Sequence, residues 1–185
     1  GHKLLIPSDG YYVTRVLSSR FLSNLGVEVV ERPSNAFEDG GFEGFDVVFV
    51  ETPSNPGLDV VDLSSIAKQV RAAGGVSICD NTTLTPLGQR PLDLGIDIVV
   101  SSDTKSMGGH SDALMGHVAS RNGDLLQAME DWRKISGSIP GPQEAWLLHR
   151  GLESLDVRFE RMCNSAELIA PRLAEHKAVQ SIRFP

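Results

Sequence analysis

Cysteine is scarce: Cys79 and Cys163 are the only two in 185 residues. Two are too few for a disulfide framework, so a reduced, cytoplasmic setting is the expectation. Positive charge is also short, with 17 Lys and Arg against 24 Asp and Glu and a net charge of -7. No basic run is present to neutralise a phosphate backbone, and nucleic acid is not an expected partner. No apolar run reaches the roughly 20 residues of a membrane-spanning helix, and no signal-peptide pattern opens the chain, so no membrane is expected either. The first apolar run is followed by neither a Gly-x-Gly-x-x-Gly turn nor a Gly-x-x-x-x-Gly-Lys loop, which leaves a nucleotide-binding domain poorly supported. There is no internal repeat and no low-complexity segment, and no metal is assigned.

What is there is ordinary for a globular domain with a sizeable core: 41% hydrophobic and 22% charged residues. Leu4-Leu5-Ile6-Pro7 reads as a strand closed by Ser8-Asp9-Gly10, and the residues before it look like entry into that strand, as if something preceded them. Val16, Leu17, Phe21, Leu22 and Leu25 recur at helical spacing and predict a helix over about 13–25, with Gly26 past its end. Further strands are expected at 27–30, 46–50, 76–79, 98–100 and 115–120, and helices at 62–73 and 124–135. Alternation of this kind predicts an α/β fold, a mostly parallel sheet sandwiched by helices. From Gln143 to about His176 apolar residues keep helical spacing, which predicts one long connecting helix that Pro171 bends or breaks late. Gln180–Pro185 reads as the first strand of a further domain. The domain division expected is therefore 1–140 for the α/β domain and 141–185 for the connecting helix and the start of the next.

In an open parallel sheet, ligands sit beyond the carboxyl ends of the strands. Three such ends carry polar clusters: Ser54-Asn55-Pro56, Asp80-Asn81-Thr82, and Ser102 through Lys105. Lys105 emerges where the apolar run Ile98-Val99-Val100 ends, and burial there would favour its neutral, nucleophilic amine. Ser102 and Thr104 place hydroxyl donors beside it, and Gly108-Gly109 admits close backbone approach. An amine nucleophile beside phosphate-type donors suggests pyridoxal 5'-phosphate bound to Lys105 as a Schiff base. Asp80 directly follows a strand, and there it either faces a cation such as a protonated pyridine nitrogen or caps its own turn. Asn55 fits plain turn chemistry as well as a ligand contact. Tyr11 and Tyr12 either stack on a planar ring or pack under the first helix. His110 reads as a base or, more simply, as a structural histidine; Cys79 reads as core, and Asp46 and Arg150 as structural.

Taken together, these motifs make the chain resemble the transsulfuration group of PLP-dependent enzymes of Cys/Met metabolism (cystathionine γ-lyase, cystathionine γ-synthase, cystathionine β-lyase, methionine γ-lyase). The resemblance runs over essentially all of the chain. It is carried by Glu51-Thr52-Pro53-Ser54-Asn55-Pro56, Asp80-Asn81-Thr82, Gln89-Arg90-Pro91-Leu92, Asp97 through Lys105 and Gly108-Gly109-His110-Ser111-Asp112. Ala145-Trp146-Leu147 and Arg150-Gly151-Leu152 extend it. It implies the fold type I large domain and the cofactor pyridoxal 5'-phosphate.

By the same resemblance, Lys105 forms the internal aldimine and shuttles protons, and Asp80 pairs with the pyridine nitrogen. Ser102 and Thr104 hold the phosphate, Thr82 lies near the ring, and Asn55 lies near the phenolic oxygen. Tyr11 is implied as the catalytic, ring-stacking tyrosine. The family's usual Tyr-Gly-Gly-Thr is here Tyr11-Tyr12-Val13-Thr14, which makes Tyr12 a substitute candidate. The implied reaction converts L-cystathionine to cysteine, 2-oxobutyrate and ammonia, with γ-synthase or another member as the alternative. The implied partners are an amino-acid substrate and copies of the same chain in a homotetramer. The family's Gly-containing phosphate loop and its carboxylate-binding arginine have no counterpart in this stretch. The chain therefore reads as the central part of a cofactor-binding domain, and a catalytically incompetent structural or interaction domain is the reading from another class.

Overall fold

Hydroxyl side chains shape the first helical segment, in a computed structural model that describes all 185 residues. After strand β1 (Lys3–Pro7), helix α1 covers only Tyr12–Leu17 and continues as a π turn and a 3-10 turn to Leu25. Ser18 donates to the Thr14 carbonyl, Ser23 to that of Ser18 and Asn24 to that of Arg20, so side chains compete for the ladder that one regular helix would need. Gly26 closes the segment in the left-handed region, as its place in the sequence predicts.

The remaining elements are β2 (Glu28–Arg32), β3 (Val47–Glu51), α2 (Leu63–Ala72), β4 (Val76–Asp80), α3 (Thr85–Gly88), β5 (Ile98–Ser102), β6 (Gly116–Ser120), α4 (Gly123–Ser136), α5 (Pro142–Leu152) and α6 (Leu155–Ala174). The six strands form one sheet in the order β2-β1-β3-β4-β5-β6, and the pairings from β2 through β5 are parallel. No helix is long and apolar enough to cross a membrane.

The chain divides into two units, residues 1–101 with 118–139 and residues 102–117 with 140–185. In the first, α2 supplies the apolar face that closes the core. Asp62 caps it by accepting from the Ser65 N–H at 3.0 Å. Leu63, Ile66, Ala67 and Val70 recur on one side of the helix and are all buried. Their neighbours in the core are Leu5, Val48, Val50, Cys79 and Val99, and each large aliphatic side chain buried this way contributes about 2 kcal/mol.

The second unit differs from the expected domain division, because the loop that bears Lys105 groups with the C-terminal helices rather than with the sheet. Met107 in that loop packs with Leu148 of α5, Leu155 of α6 and the half-buried Met115. Gly151 and Gly108 meet backbone to backbone, and a Cβ on Gly151 would run into the Gly108 carbonyl. The single helix expected over 143–176 is instead two. At the break the Gly151 carbonyl accepts from the Ser154 N–H and from the Arg158 guanidinium, so the helical ladder does not pass through it. Pro171 does not end α6, which runs on to Ala174; the ring removes the N–H that would bond the carbonyl of Glu167, an exposed residue. Gln180–Pro185 forms no strand.

Candidate active site

Each strand end that the sequence marks does carry polar chemistry, and the two units hold different parts of it. Tyr11, Asn55, Asp80 and Thr82 belong to the first unit, and Ser102, Thr104 and Lys105 to the second. In the first unit Asp80 closes β4, in register with Glu51 on β3 and Val100 on β5. Its Oδ1 accepts from both the N–H of Thr82, at 2.9 Å, and the Thr82 hydroxyl, at 2.6 Å. The turn-capping reading of Asp80 is therefore realised, but by one oxygen only. Oδ2 takes no hydrogen bond from the protein, which leaves half of a half-buried carboxylate directed by Thr82 toward another donor.

Around it the strand-end loops are tied together by amides. Asn81, 4% exposed, donates to the carbonyls of Thr85 and Gln89. Gln89 answers by donating to Asn81 Oδ1 and to the Thr52 carbonyl at the end of β3. Ser54 and Asp59 exchange hydrogen bonds within the loop that presents Asn55, whose side chain is exposed. Tyr11 precedes α1 and its ring meets that of Tyr12 edge-on at 5.4 Å, with Tyr12 the more exposed of the two. Cys79 lies in the core, where burial pushes its thiol far up and leaves it inert. Asp46 accepts from the Lys3 N–H, a structural role as expected.

In the second unit Lys105 follows a tight turn in which its N–H donates to the Ser102 carbonyl. The side chain is exposed, which corrects the expectation that burial shields its amine; in this chain the loop projects it rather than covering it. The ammonium makes no hydrogen bond or ion pair with the protein. The Thr104 hydroxyl donates to the Met115 carbonyl and accepts from the Met115 N–H, so it braces the loop from within. A cavity of about 1090 Å³ in this unit is lined by Lys105 together with Thr104, Ser111, Glu144, Arg158 and Arg161. His110 Nδ1 lies 2.7 Å from the Gly108 carbonyl and acts as a structural donor. Arg150 pairs with Asp112 and lies over the Trp146 ring.

Three residues that sequence reasoning passed over matter here. Glu51, 7% exposed, accepts from the Tyr11 N–H at 2.7 Å. Its signal was legible, because it closes an apolar strand just as Asp80 does. Asp103, 1% exposed, holds His117 through Oδ1 at 2.7 Å, while its Oδ2 has no partner. That hydrogen bond, with the attraction of the carboxylate, raises the His117 pKa above its usual value against the opposing cost of burial. Arg158 donates to the carbonyls of Ser106, Met107 and Gly151 and to the Ser154 hydroxyl. It stands at the apolar positions of α6 that Leu155, Phe159 and Met162 share, where a lone arginine is out of place.

An acid at the end of a parallel strand in the first unit, and a lysine in a loop of the second, are the kinds of group that a ring-bearing, phosphorylated cofactor takes as partners. Each unit holds residues that fit such a group, an open carboxylate oxygen on Asp80 in the first and an unpaired amine on Lys105 in the second, while the Thr104 hydroxyl is already committed to Met115. The whole chain, residues 1–185, matches the family of Cys/Met metabolism PLP-dependent enzymes, and it belongs to that family. It is 36% identical to a cystathionine gamma-lyase of Bacillus subtilis over 188 residues, which are all of this chain and 50% of the relative. The solved cystathionine gamma-lyase of Lactobacillus plantarum, complexed with L-serine, superposes with a TM-score of 0.93 at 35% identity, covering 98% of this chain and 48% of that one. The cystathionine gamma synthase of Xanthomonas oryzae, in complex with aminoacrylate and cysteine, gives 0.90 at 32% identity over 96% of this chain and 46% of that one. Relatives also include cystathionine beta-lyases and L-methionine gamma-lyases. The chain spans about half the length of the curated relatives it matches.

Proposed function

We propose that this chain is the cofactor-binding part of a PLP-dependent carbon–sulfur lyase acting on L-cystathionine, with cysteine, 2-oxobutyrate and ammonia as products. The observation that carries the reading is Asp80, with Oδ1 held by Thr82 and Oδ2 open, on the strand next to the one that leads into Lys105. When bound, pyridoxal 5'-phosphate supplies an electron sink for the charge left as a proton leaves the substrate's α-carbon. Asp80 Oδ2 holds a proton on the ring nitrogen, and Thr82 keeps that carboxylate from rotating away. Lys105 Nζ carries protons between substrate carbons, and its lack of a protein partner leaves it free to swing between them. Ser102 contributes a donor for the phosphate and Thr104 a second once its hydroxyl leaves the Met115 carbonyl, Asn55 a contact near the phenolic oxygen, and Tyr11 a face for stacking. Cytoplasmic location and assembly as a homotetramer belong to the same proposal.

A γ-synthase is the second reading, favoured by the likeness to the Xanthomonas oryzae enzyme. Incubation with cystathionine, against incubation with an activated homoserine and cysteine, separates the two by product. The prior test is addition of pyridoxal 5'-phosphate to the protein and to Lys105→Ala. A visible band present in the first and absent in the second supports the assignment; no band, or one indifferent to the substitution, overturns it. Cofactor uptake without turnover of any of these substrates favours the structural or interaction domain.

A further inference from the structure

Glu51 ends β3 as Asp80 ends β4, and as register partners they project from the same face of the sheet. A carboxyl this buried ordinarily faces a cation, yet its Oε2 accepts instead from a backbone group, the Tyr11 N–H. Gly10 makes the approach possible, since a Cβ there would come within 2.7 Å of that oxygen. Burial first, then the negative charges of Asp80 and Asp9, push the Glu51 carboxyl up to about 7, against the pull of the Tyr11 and Asn55 backbone amides. Protonated, it still offers an acceptor oxygen and places no second full charge beside Asp80. The rest of the loop after β1 is anchored elsewhere, because Asp9 accepts from the N–H and hydroxyl of Ser34, beyond β2. Only Glu51 ties the Tyr11 end of the loop to β3.

We propose that Glu51 is a positioning residue: it anchors the Tyr11 backbone to the end of β3 and thereby sets where the Tyr11 ring stands relative to Asp80 on the neighbouring strand. The inference rests on the reading of Tyr11 and Asp80 as cofactor contacts, and it adds a residue that acts only through them.

The experiment compares wild type, Glu51→Ala and Glu51→Gln by amide hydrogen exchange over residues 8–14, without cofactor, and by titration of the visible band with pyridoxal 5'-phosphate. Exchange in α2 serves as the control for folding. Glu51→Ala speeds exchange at the Tyr11 amide about tenfold and weakens cofactor binding about tenfold. Glu51→Gln keeps an acceptor oxygen and stays within about threefold of wild type in both. Should Glu51→Ala fail to fold, Gly10→Ala, whose Cβ would crowd both Oε2 and the Pro7 ring and so disturb the same hydrogen bond, takes its place with the same expected direction. Unchanged exchange over 8–14, unchanged cofactor affinity, or Glu51→Gln as impaired as Glu51→Ala overturns the proposal. Wild type that takes up no cofactor overturns the reading beneath it, a result distinct from the exchange outcome.

Discussion

Truncating Arg158 to alanine removes one side chain that holds the loop after Lys105 to the start of α6. The guanidinium donates to Ser106 O at 2.6 Å and Gly151 O at 2.7 Å, and more loosely to Met107 O at 3.3 Å and Ser154 Oγ at 3.1 Å. No carboxylate shares it, so its bonding goes to three backbone carbonyls and one hydroxyl. The two short bonds are charge-assisted and half-buried, and each contributes about 1–2 kcal/mol once competition from water is counted. The two longer ones add little beyond keeping water out. Arg158→Ala is therefore expected to destabilise the protein by about 2–4 kcal/mol in urea denaturation. Arg158→Lys, a single point donor without the planar fork, should recover about half of that at most. Because the loop carries Lys105, both variants should also speed exchange over residues 104–111. A loss under about 0.5 kcal/mol for the alanine variant, or full recovery by lysine, would refute the clamp.

Gly151→Ala tests the contact between α5 and the same loop: helix propensity alone would stabilise the protein by about 1 kcal/mol, whereas collision with the Gly108 carbonyl costs about 1–3 kcal/mol. A net loss in urea denaturation is expected, and a gain refutes the close approach. The Glu51 carboxyl titrates near 7 folded and near 4.5 unfolded, so the stability it confers in its protonated form is complete below pH 4.5 and lost as pH rises to about 7. Denaturation midpoints across that window should fall in wild type and much less in Glu51→Gln. His117, raised above 6.5 by Asp103, binds its proton more tightly when folded. Its contribution is complete below pH 6.5 and lost as pH rises through the folded value; Asp103→Asn should flatten that slope, and an unchanged slope refutes the pairing.

Much of the candidate site was legible before folding was considered. Asp80 stands out because it directly follows an apolar strand, and Lys105 because it comes in the polar loop that the next apolar strand runs into. The same rule pointed to Glu51, although its bond to Tyr11 did not follow, since the contact crosses from one loop to another. Burial of Lys105 was read from the strand before it, but exposure depends on what the following loop packs against, and here Met107 turns inward while Lys105 does not.

What the chain's own order of residues determined is the alternation of strands and helices, the α2 stripe with its Asp62 cap, and the residue types at each strand end. These are local, set by side-chain periodicity and by which backbone groups a neighbouring residue can satisfy. Tertiary structure alone decided that the 143–176 run is two helices, that Arg158 faces carbonyls, and that Asp103 meets His117. Each of those outcomes turns on a carbonyl, a guanidinium or a carboxylate finding a partner, from Ser154 three residues beyond Gly151 to Ser106, 52 residues before Arg158. No pattern of spacing encodes which buried polar group will be waiting there.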